Sequence, residues 1–548
     1  MKKLVVCCDG TWNSPDQEEY ELPAPTNVLR IYNAISKMDE SNVEQLKYYH
    51  PGVGTEGGFF AKTAGGLYGK GLEQNIMSAY AWIGRHYTDG DMIYLFGFSR
   101  GAFTVRSLSG MLSRCGILDL RNTAEPFAKN APKPSESWEN VKSAFTAYRE
   151  PPKGKSWETP LPRSAQPKVP IQFIGVWDTV GALGIPDDKE IVNLLDRRKD
   201  WLFHDTKLSD ETRYARHALA MDEMRSSFTP TLWTEDEKVL SNHSPSAGSG
   251  NVARVRQIYF PGVHSDVGGG YYECGLADGA LRWMIEEVQS LPKNEGLFFE
   301  SAMVEQIKPD HQAPLHDSYR GLFKLMQTRP RNLPRFSETD RFHSSALNRL
   351  DSPPIFQSPY RPRAEKRSGD PIARDCTLGI GETVDCRVYA INPWNPTGIF
   401  LLPGRYEFKA AGEWLDRDIS SDPAGLSDDG FGFSEWVRSL ANILSPIESL
   451  TRLITRNSKA EISLSKRIDY EKWFALVGVV TNDCDRNGKL PESPANDGTP
   501  PGHQTFVIGK ERTETIVHEG FLYAFANDSW DFYDNNRGSV TLRVTRLE

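Results

Sequence analysis

Apolar residues fall in short unbroken runs through the first half of the chain and in alternation towards its end. Leu4–Cys8, Met92–Phe96, Ile171–Trp177 and Ile258–Phe260 are runs of the kind that strands buried on both faces carry. Between them the spacing turns helical, around Val28–Met38, Asn75–Tyr87 and Ala280–Val288. Strands alternating with helices predict an α/β unit: a mainly parallel sheet with helices on both faces. Two polar stretches, Ala124–Pro170 and Glu235–Gly250, read as rim loops or insertions. From about Asp385 onward the pattern has period two, as in Gly404–Ala410, Thr505–Ile508 and Ser539–Val544. That texture predicts a β-sandwich or jelly roll, interrupted by a helical insertion over Trp436–Leu453. The expected division is 1–320 for the α/β domain, 321–386 for a connector or lid insertion, and 387–548 for the β domain with its insertion near 434–455.

Composition narrows the class. With 548 residues, 25% charged and 39% hydrophobic, the chain reads as a globular protein of two or three domains. A net charge of −9 speaks against nucleic acid as a partner. Locally the sign inverts: Lys324 to Arg367 holds ten Lys or Arg against four acids. We read this stretch as a Pro-rich connector whose charges pair with acidic surface, rather than a patch for anionic head groups. Seven scattered cysteines without a metal-type C-x-x-C pair fit a reducing compartment, and a Cys376–Cys386 disulfide is not expected. The apolar run after Lys3 stops within five residues at Asp9, so it reads as a first strand and not as a secretory signal. No segment approaches the ~20 apolar residues of a membrane span.

The chemistry centres on Gly97-Phe98-Ser99-Arg100-Gly101, a G-x-S-x-G pentapeptide. An apolar run precedes it, and Ala102, Phe103, Val105, Leu108, Met111 and Leu112 follow at helical spacing. Strand, sharp turn and helix make a nucleophile elbow presenting the Ser99 hydroxyl, with the Arg100 amide at a helix N-terminus to stabilise an oxyanion. A serine needs a base, and the base needs an orienting acid. The α/β-hydrolase order Ser, acid, His is supplied by Asp178 at the end of Ile171–Trp177 and by His264 behind Val255–Phe260. Asp266 is left as a residue supporting His264 or an alternative acid. Gly10 and Thr11, after the first strand, are nominated as further oxyanion donors, with Asp9 shaping their turn.

These residues carry a resemblance. Cys8-Asp9-Gly10-Thr11-Trp12-Asn13, Thr26-Asn27-Val28, Gly52-Val53-Gly54-Thr55, the elbow, Val176-Trp177-Asp178-Thr179-Val180-Gly181, His217-Ala218-Leu219-Ala220-Met221-Asp222-Glu223 and Pro261-Gly262-Val263-His264-Ser265-Asp266 together resemble the α/β-hydrolase domain of type VI secretion lipase effectors, first Tle subfamily. The resemblance covers about residues 1–320. It implies hydrolysis of glycerophospholipid acyl esters by a Ser99–Asp178–His264 triad without a cofactor, at a phospholipid membrane surface. It also implies synthesis in the bacterial cytoplasm, export to a target-cell periplasm without a cleaved signal, and secretion-apparatus and immunity proteins as partners. A second resemblance lies in Asn527-Asp528-Ser529-Trp530-Asp531-Phe532-Tyr533-Asp534-Asn535-Asn536, which is similar to the calcium loop of small galactose-binding bacterial lectins. It implies Ca²⁺ held by Asp528, Asn535 and Asn536, all oxygen donors as a hard cation requires, and a carbohydrate partner.

The leading functional expectation is a serine-dependent phospholipase of A1/A2 type acting through an acyl-enzyme. The alternatives are an esterase for small soluble substrates, and a carbohydrate- or surface-binding protein that uses the hydrolase fold as a scaffold.

Overall fold

The computed structural model describes residues 1–10, 13, 16–52, 67–123, 136–150, 163–164, 169–180, 208–233, 252–292, 295–320, 327–358, 360–362, 374–426, 466–468, 470–485, 489–490, 502–530 and 532–548. They fall into two compact units. The first draws on Met1–Gly184, Trp201–Ala220 and Phe228–His316, the second on Met221–Ser227 and Asp317–Glu548.

In the first unit, strands β1 (Lys3–Cys8), β4 (Gln45–His50), β5 (Met92–Phe98), β6 (Ile171–Trp177), β7 (Thr212–Ala220) and β8 (Val255–Phe260) form one sheet in the order β4-β1-β5-β6-β7-β8. Every neighbouring pair is parallel. A small hairpin, β2 (Glu18–Glu19) and β3 (Leu22–Pro23), stands apart from the sheet. The helices are α1 (Asn27–Ala34), α2 (Leu67–His86), α3 (Arg100–Cys115), α4 (Glu136–Arg149), α5 (His264–Gly268) and α6 (Gly275–Gln289).

Period two explains the layers. Leu4 and Val6 of β1 join one core with Ile76 and Tyr80 of α2, Leu108 of α3 and Val141 of α4. Val5 and Cys7 join the opposite core with Val28 and Ile31 of α1 and Met284 of α6. A strand with cores on both sides has no polar face, which is why these runs read as unbroken. The strand order reverses between β1 and β5, and in such sheets the crevice outside the carboxyl ends at the reversal is where ligands bind. Asp9 follows β1 there, and Ser99 follows β5.

One expectation needs correction, and two strands were not anticipated. The polar stretch 124–170 contains α4, whose buried Trp138, Val141 and Phe145 recur at helical spacing among Lys, Ser and Glu. Strand β4 is an edge strand of mostly half-buried residues, too polar to stand out. Strand β7 carries Arg216 and His217 fully buried, and those polar residues masked it.

The second unit is a sandwich of two five-stranded sheets. One contains β10 (Thr383–Tyr389), β12 (Gly404–Asp416), β13 (Ile419–Ser421), β16 (Glu511–Ile516) and β18 (Asn536–Arg546). The other contains β9 (Cys376–Thr377), β11 (Asn395–Leu401), β14 (Leu476–Val480), β15 (Gln504–Val507) and β17 (Gly520–Ala526). Val388, Phe408 and Leu542 from the first meet Ile399, Leu476 and Leu522 from the second in one core. Within this unit Arg335 faces Glu338, Arg361 faces Asp222 and Arg374 faces Asp351. Lys324, Arg363, Lys366, Arg367 and the expected insertion over Trp436–Leu453 lie outside the described residues. All seven cysteines are free thiols. Among the described residues no helix is long and apolar enough to cross a membrane.

Candidate active site

The elbow is built by close backbone approach. A β-carbon on Gly101 would stand 2.0 Å from the Cys8 carbonyl oxygen, and one on Gly97 would stand 2.5 Å from that of Gly101. Only glycine at both positions lets β1, β5 and α3 meet. Ser99, between them, is forced to φ 55° and ψ −121°, a region that side chains rarely occupy. Its amide donates to the Trp177 carbonyl at 3.1 Å, and its carbonyl accepts from Phe103 in the first turn of α3. Arg100 opens α3, so its amide belongs to the turn whose N–H groups point out of the helix.

Parallel pairing of β5 and β6 puts Phe98 opposite Trp177, so Ser99 and Asp178 leave neighbouring strands together. Asp178 is fully buried, with φ 37°. Its Oδ1 accepts from the Ala220 amide at 3.0 Å, which fixes the carboxylate plane. Its Oδ2 lies 2.6 Å from Nδ1 of His264. With the Nδ1 proton donated to Asp178, His264 keeps Nε2 as the acceptor, the tautomer a general base needs. The His264 ring is held between Phe98, centroids 4.6 Å apart, and the edge of Phe228 at 4.9 Å. Ser99, Asp178 and His264 therefore converge at the carboxyl end of the sheet.

The loop after β1 differs from expectation. Gly10 does face the nucleophile, since a β-carbon built on it would stand 3.2 Å from Cβ of Ser99. Its amide, however, donates to Oδ1 of Asp9 at 2.7 Å and is not open to an oxyanion. Asp9 Oδ2 accepts from the hydroxyls of Thr26 at 2.5 Å and Tyr49 at 2.8 Å. Burial pushes Asp9 up to about 6, against the lowering effect of these hydrogen bonds. Asp9 thus ties the Gly10 amide to the side chains of Thr26 and Tyr49. Thr11 lies outside the described residues.

Asp266 is not paired with His264. Its Oδ2 accepts from the Val263 amide at 3.0 Å, tying down the start of α5, whose first residue is His264. Its Oδ1 lies 2.6 Å from Nδ1 of His316, a partner the sequence did not suggest. The His316 ring stacks on Tyr271 with centroids 3.9 Å apart. Burial opposes charge on His316, but Asp266, with Glu19 and Glu273, outweighs it and holds the imidazole above the ordinary 6.5. Stabilisation from such a group is complete below 6.5 and fades as pH rises through the raised value. His316→Gln should therefore melt clearly below the parent near about pH 6, with the gap narrowing by about pH 9. A gap that widens with pH would contradict this pairing. A second unforeseen contact joins the Thr179 amide to Nε2 of His217 at 3.0 Å, fixing the backbone just after Asp178.

Comparison with known proteins places this arrangement. The family model for the catalytic domain of T6SS Tle1-like phospholipase effectors matches residues 2–287, more than half of the chain. The chain belongs to that family. Asp9, Ser99, Asp178, His264 and Asp266 of this Tle1-like chain all lie within the matched span. The Saccharomyces cerevisiae protein YEL023C is 30% identical over 252 residues, which cover 42% of this chain and 33% of the yeast protein. The chain thus spans about a third of that relative's length. A crystal structure of a protein from Pseudomonas aeruginosa aligns at 18% identity over 57% of this chain and 49% of that one, TM-score 0.31. The Tle1 effector bound to the VgrG spike of the type 6 secretion system aligns at 16% identity over 50% and 51%, TM-score 0.28. The EclA N-terminal domain, a PllA-like lectin, aligns at 16% identity over 30% of this chain and 94% of that one, TM-score 0.17.

Outside the matched span, the residues expected to hold calcium sit together in the sandwich. Asp528 Oδ1 accepts from the Ser529 amide at 2.7 Å, and Oδ2 accepts from Nδ2 of Asn536 at 2.8 Å. The sequence reading missed Asp416, which pairs in register with Asn536 across β12 and β18. Asp416 Oδ1, Asn535 Oδ1 and Asn536 Oδ1 are buried oxygens with no hydrogen-bond partner. Burial, with the charge of Asp416 adding to it, raises Asp528 to about 6, and burial raises Asp416 as well. Among the described residues no three His, Cys, Asp or Glu gather in a metal-binding group, so the set consists of two carboxylates and two amides. All donors are oxygens, which suits a hard divalent cation and not a soft one.

Proposed function

We propose that the chain is a serine-dependent carboxylic ester hydrolase that cleaves acyl esters of glycerophospholipids, with A1/A2 regiochemistry, as an antibacterial type VI secretion effector. The observation that supports it most is the 2.6 Å pair of His264 Nδ1 and Asp178 Oδ2, beside a serine held in a strained elbow. Family membership supplies the substrate class. In this reading Ser99 Oγ attacks the acyl carbonyl while its proton passes to Nε2 of His264. Asp178 holds the imidazolium that forms, and the Arg100 amide faces the oxyanion. Collapse expels the lysophospholipid alkoxide, which takes the proton from His264. Water then attacks the acyl-enzyme by the same route and releases the fatty acid.

The test is fatty acid release from phospholipid vesicles, with a short-chain soluble ester in parallel. Release by the parent and not by Ser99→Ala supports the reading. Cleavage of the short ester alone would make the chain a small-molecule esterase. Silence with both substrates would favour a binding protein on a hydrolase scaffold. Secretion-apparatus and immunity proteins follow as partners from the same proposal.

The oxygen cluster carries the reading for the second unit. Asp416, Asp528, Asn535 and Asn536 would hold Ca²⁺, whose charge would neutralise two buried carboxylates and which could accept sugar hydroxyls as further oxygen ligands. Added Ca²⁺ should raise the melting temperature of the full chain by several degrees, as a ligand of the folded state must. Asp528→Ala and Asp416→Asn should each erase that shift. A shift that survives both changes would remove these ligands from consideration.

A further inference from the structure

The β2–β3 hairpin stands on the rim of the catalytic centre. Glu18 pairs with Pro23 and Glu19 with Leu22, leaving Tyr20 and Glu21 as the two turn residues. Both have positive φ, 53° and 63°, a turn for which Asn-Gly is the ordinary solution. Tyr20 is 80% exposed at the tip and Leu22 41% exposed beside it. The hairpin is tied to the segment that follows His264. Gln17 Nε2 donates to the Gly270 carbonyl at 3.1 Å, and the Tyr272 amide donates to Glu19 Oε2 at 2.8 Å. Thr26, a few residues on, bridges Gly269 and donates to Asp9. Tyr272 is itself 49% exposed. Three apolar or aromatic side chains therefore reach into water from a mount shared with His264 and with the loop facing Ser99.

The charge carried by the hairpin segment itself has one sign. Asp16, Glu18, Glu19 and Glu21 lie in the hairpin, Glu273 adjoins Tyr272, and no Lys or Arg occurs between Lys3 and Arg30. Arg30 is engaged by Asp278 at 2.5 Å. His316 also lies here, its Nε2 3.8 Å from Glu273 and its Nδ1 held by Asp266.

Resting on the phospholipid reading above, we propose that this hairpin docks the catalytic unit on a lipid surface whose head groups are zwitterionic and carry an amine. Tyr20, Leu22 and Tyr272 enter the interfacial layer, where tyrosine is at home and a few apolar side chains give reversible attachment. The carboxylates meet the ammonium groups and are repelled by a net anionic leaflet. Two side chains on a hairpin and one on the segment tied to it are too small a patch for a stable protein interface. The lipid surface is the occupant that asks for no more area than this.

Binding is measured by vesicle sedimentation on the full chain carrying Ser99→Ala, so that the surface is not consumed. On vesicles of phosphatidylethanolamine and phosphatidylcholine, adding Tyr20→Ser and Leu22→Ser should weaken binding about tenfold. Tyr20→Phe with Leu22→Met should keep it. Replacing half the lipid with phosphatidylglycerol should weaken binding at low salt, and Glu18→Gln with Glu21→Gln should remove that penalty. Undiminished binding by the serine pair, or tighter binding to phosphatidylglycerol, would overturn the proposal. Both serine positions are exposed, so loss of the fold does not confound the result. If Ser99→Ala still releases fatty acid, the mechanism fails while the docking result stands.

Discussion

Ser99→Ala should lower ester hydrolysis by about 10⁶-fold in kcat while leaving the fold intact. The size of the loss follows from the division of labour. In the proposed mechanism His264 and Asp178 serve to take one proton from one oxygen, and without that oxygen neither has anything to activate. The same position makes a second, independent measurement possible. At φ 55° and ψ −121° any side chain is strained, at a cost of about 1–3 kcal/mol. Ser99→Gly relieves the strain and Ser99→Ala does not. Ser99→Gly should therefore be inactive yet melt above both the parent and Ser99→Ala. Equal melting of the glycine and alanine variants would mean that the elbow stores no strain.

Asp178→Asn should cost about 10⁴-fold in kcat with little change in substrate affinity. The geometry gives the reason. Oδ1 of Asp178 accepts from the Ala220 amide, so the oxygen of an asparagine stays on that side. Its NH₂ then faces Nδ1 of His264, which must become the acceptor. The ring proton moves to Nε2, the atom that should receive the Ser99 proton. Steady-state rates on a soluble ester, with melting as a control, check this. A loss smaller than about tenfold would mean that Asp178 is not the orienting acid.

The positions of the proposed catalytic residues were legible because each sits at a strand exit and is marked by local chemistry. Ser99 is flanked by two glycines, Asp178 ends an apolar run, and His264 is followed by a glycine-rich turn. What supports them left no such mark. His316 reaches Asp266 across fifty residues, and Thr26 and Tyr49 reach Asp9 only because β1, β4 and α1 pack together. The amide of Gly10 illustrates the limit from the other side. Its place beside Ser99 was evident, but its commitment to Asp9 depends on where a neighbouring carboxylate turns. In the second unit the sequence pattern shows alternation over Gly404–Ala410, whereas β12 runs on to Asp416. The carboxylate that completes the oxygen cluster was therefore out of view.

All of the chemistry assumes that Ser99 is the activated nucleophile. The direct measurement is covalent labelling of the full chain with a fluorophosphonate, followed by peptide mapping. A single adduct on Ser99, absent from Ser99→Ala and formed far more slowly in Asp178→Asn, is the expected result. An adduct on another residue, or undiminished labelling of Ser99→Ala, would contradict the account.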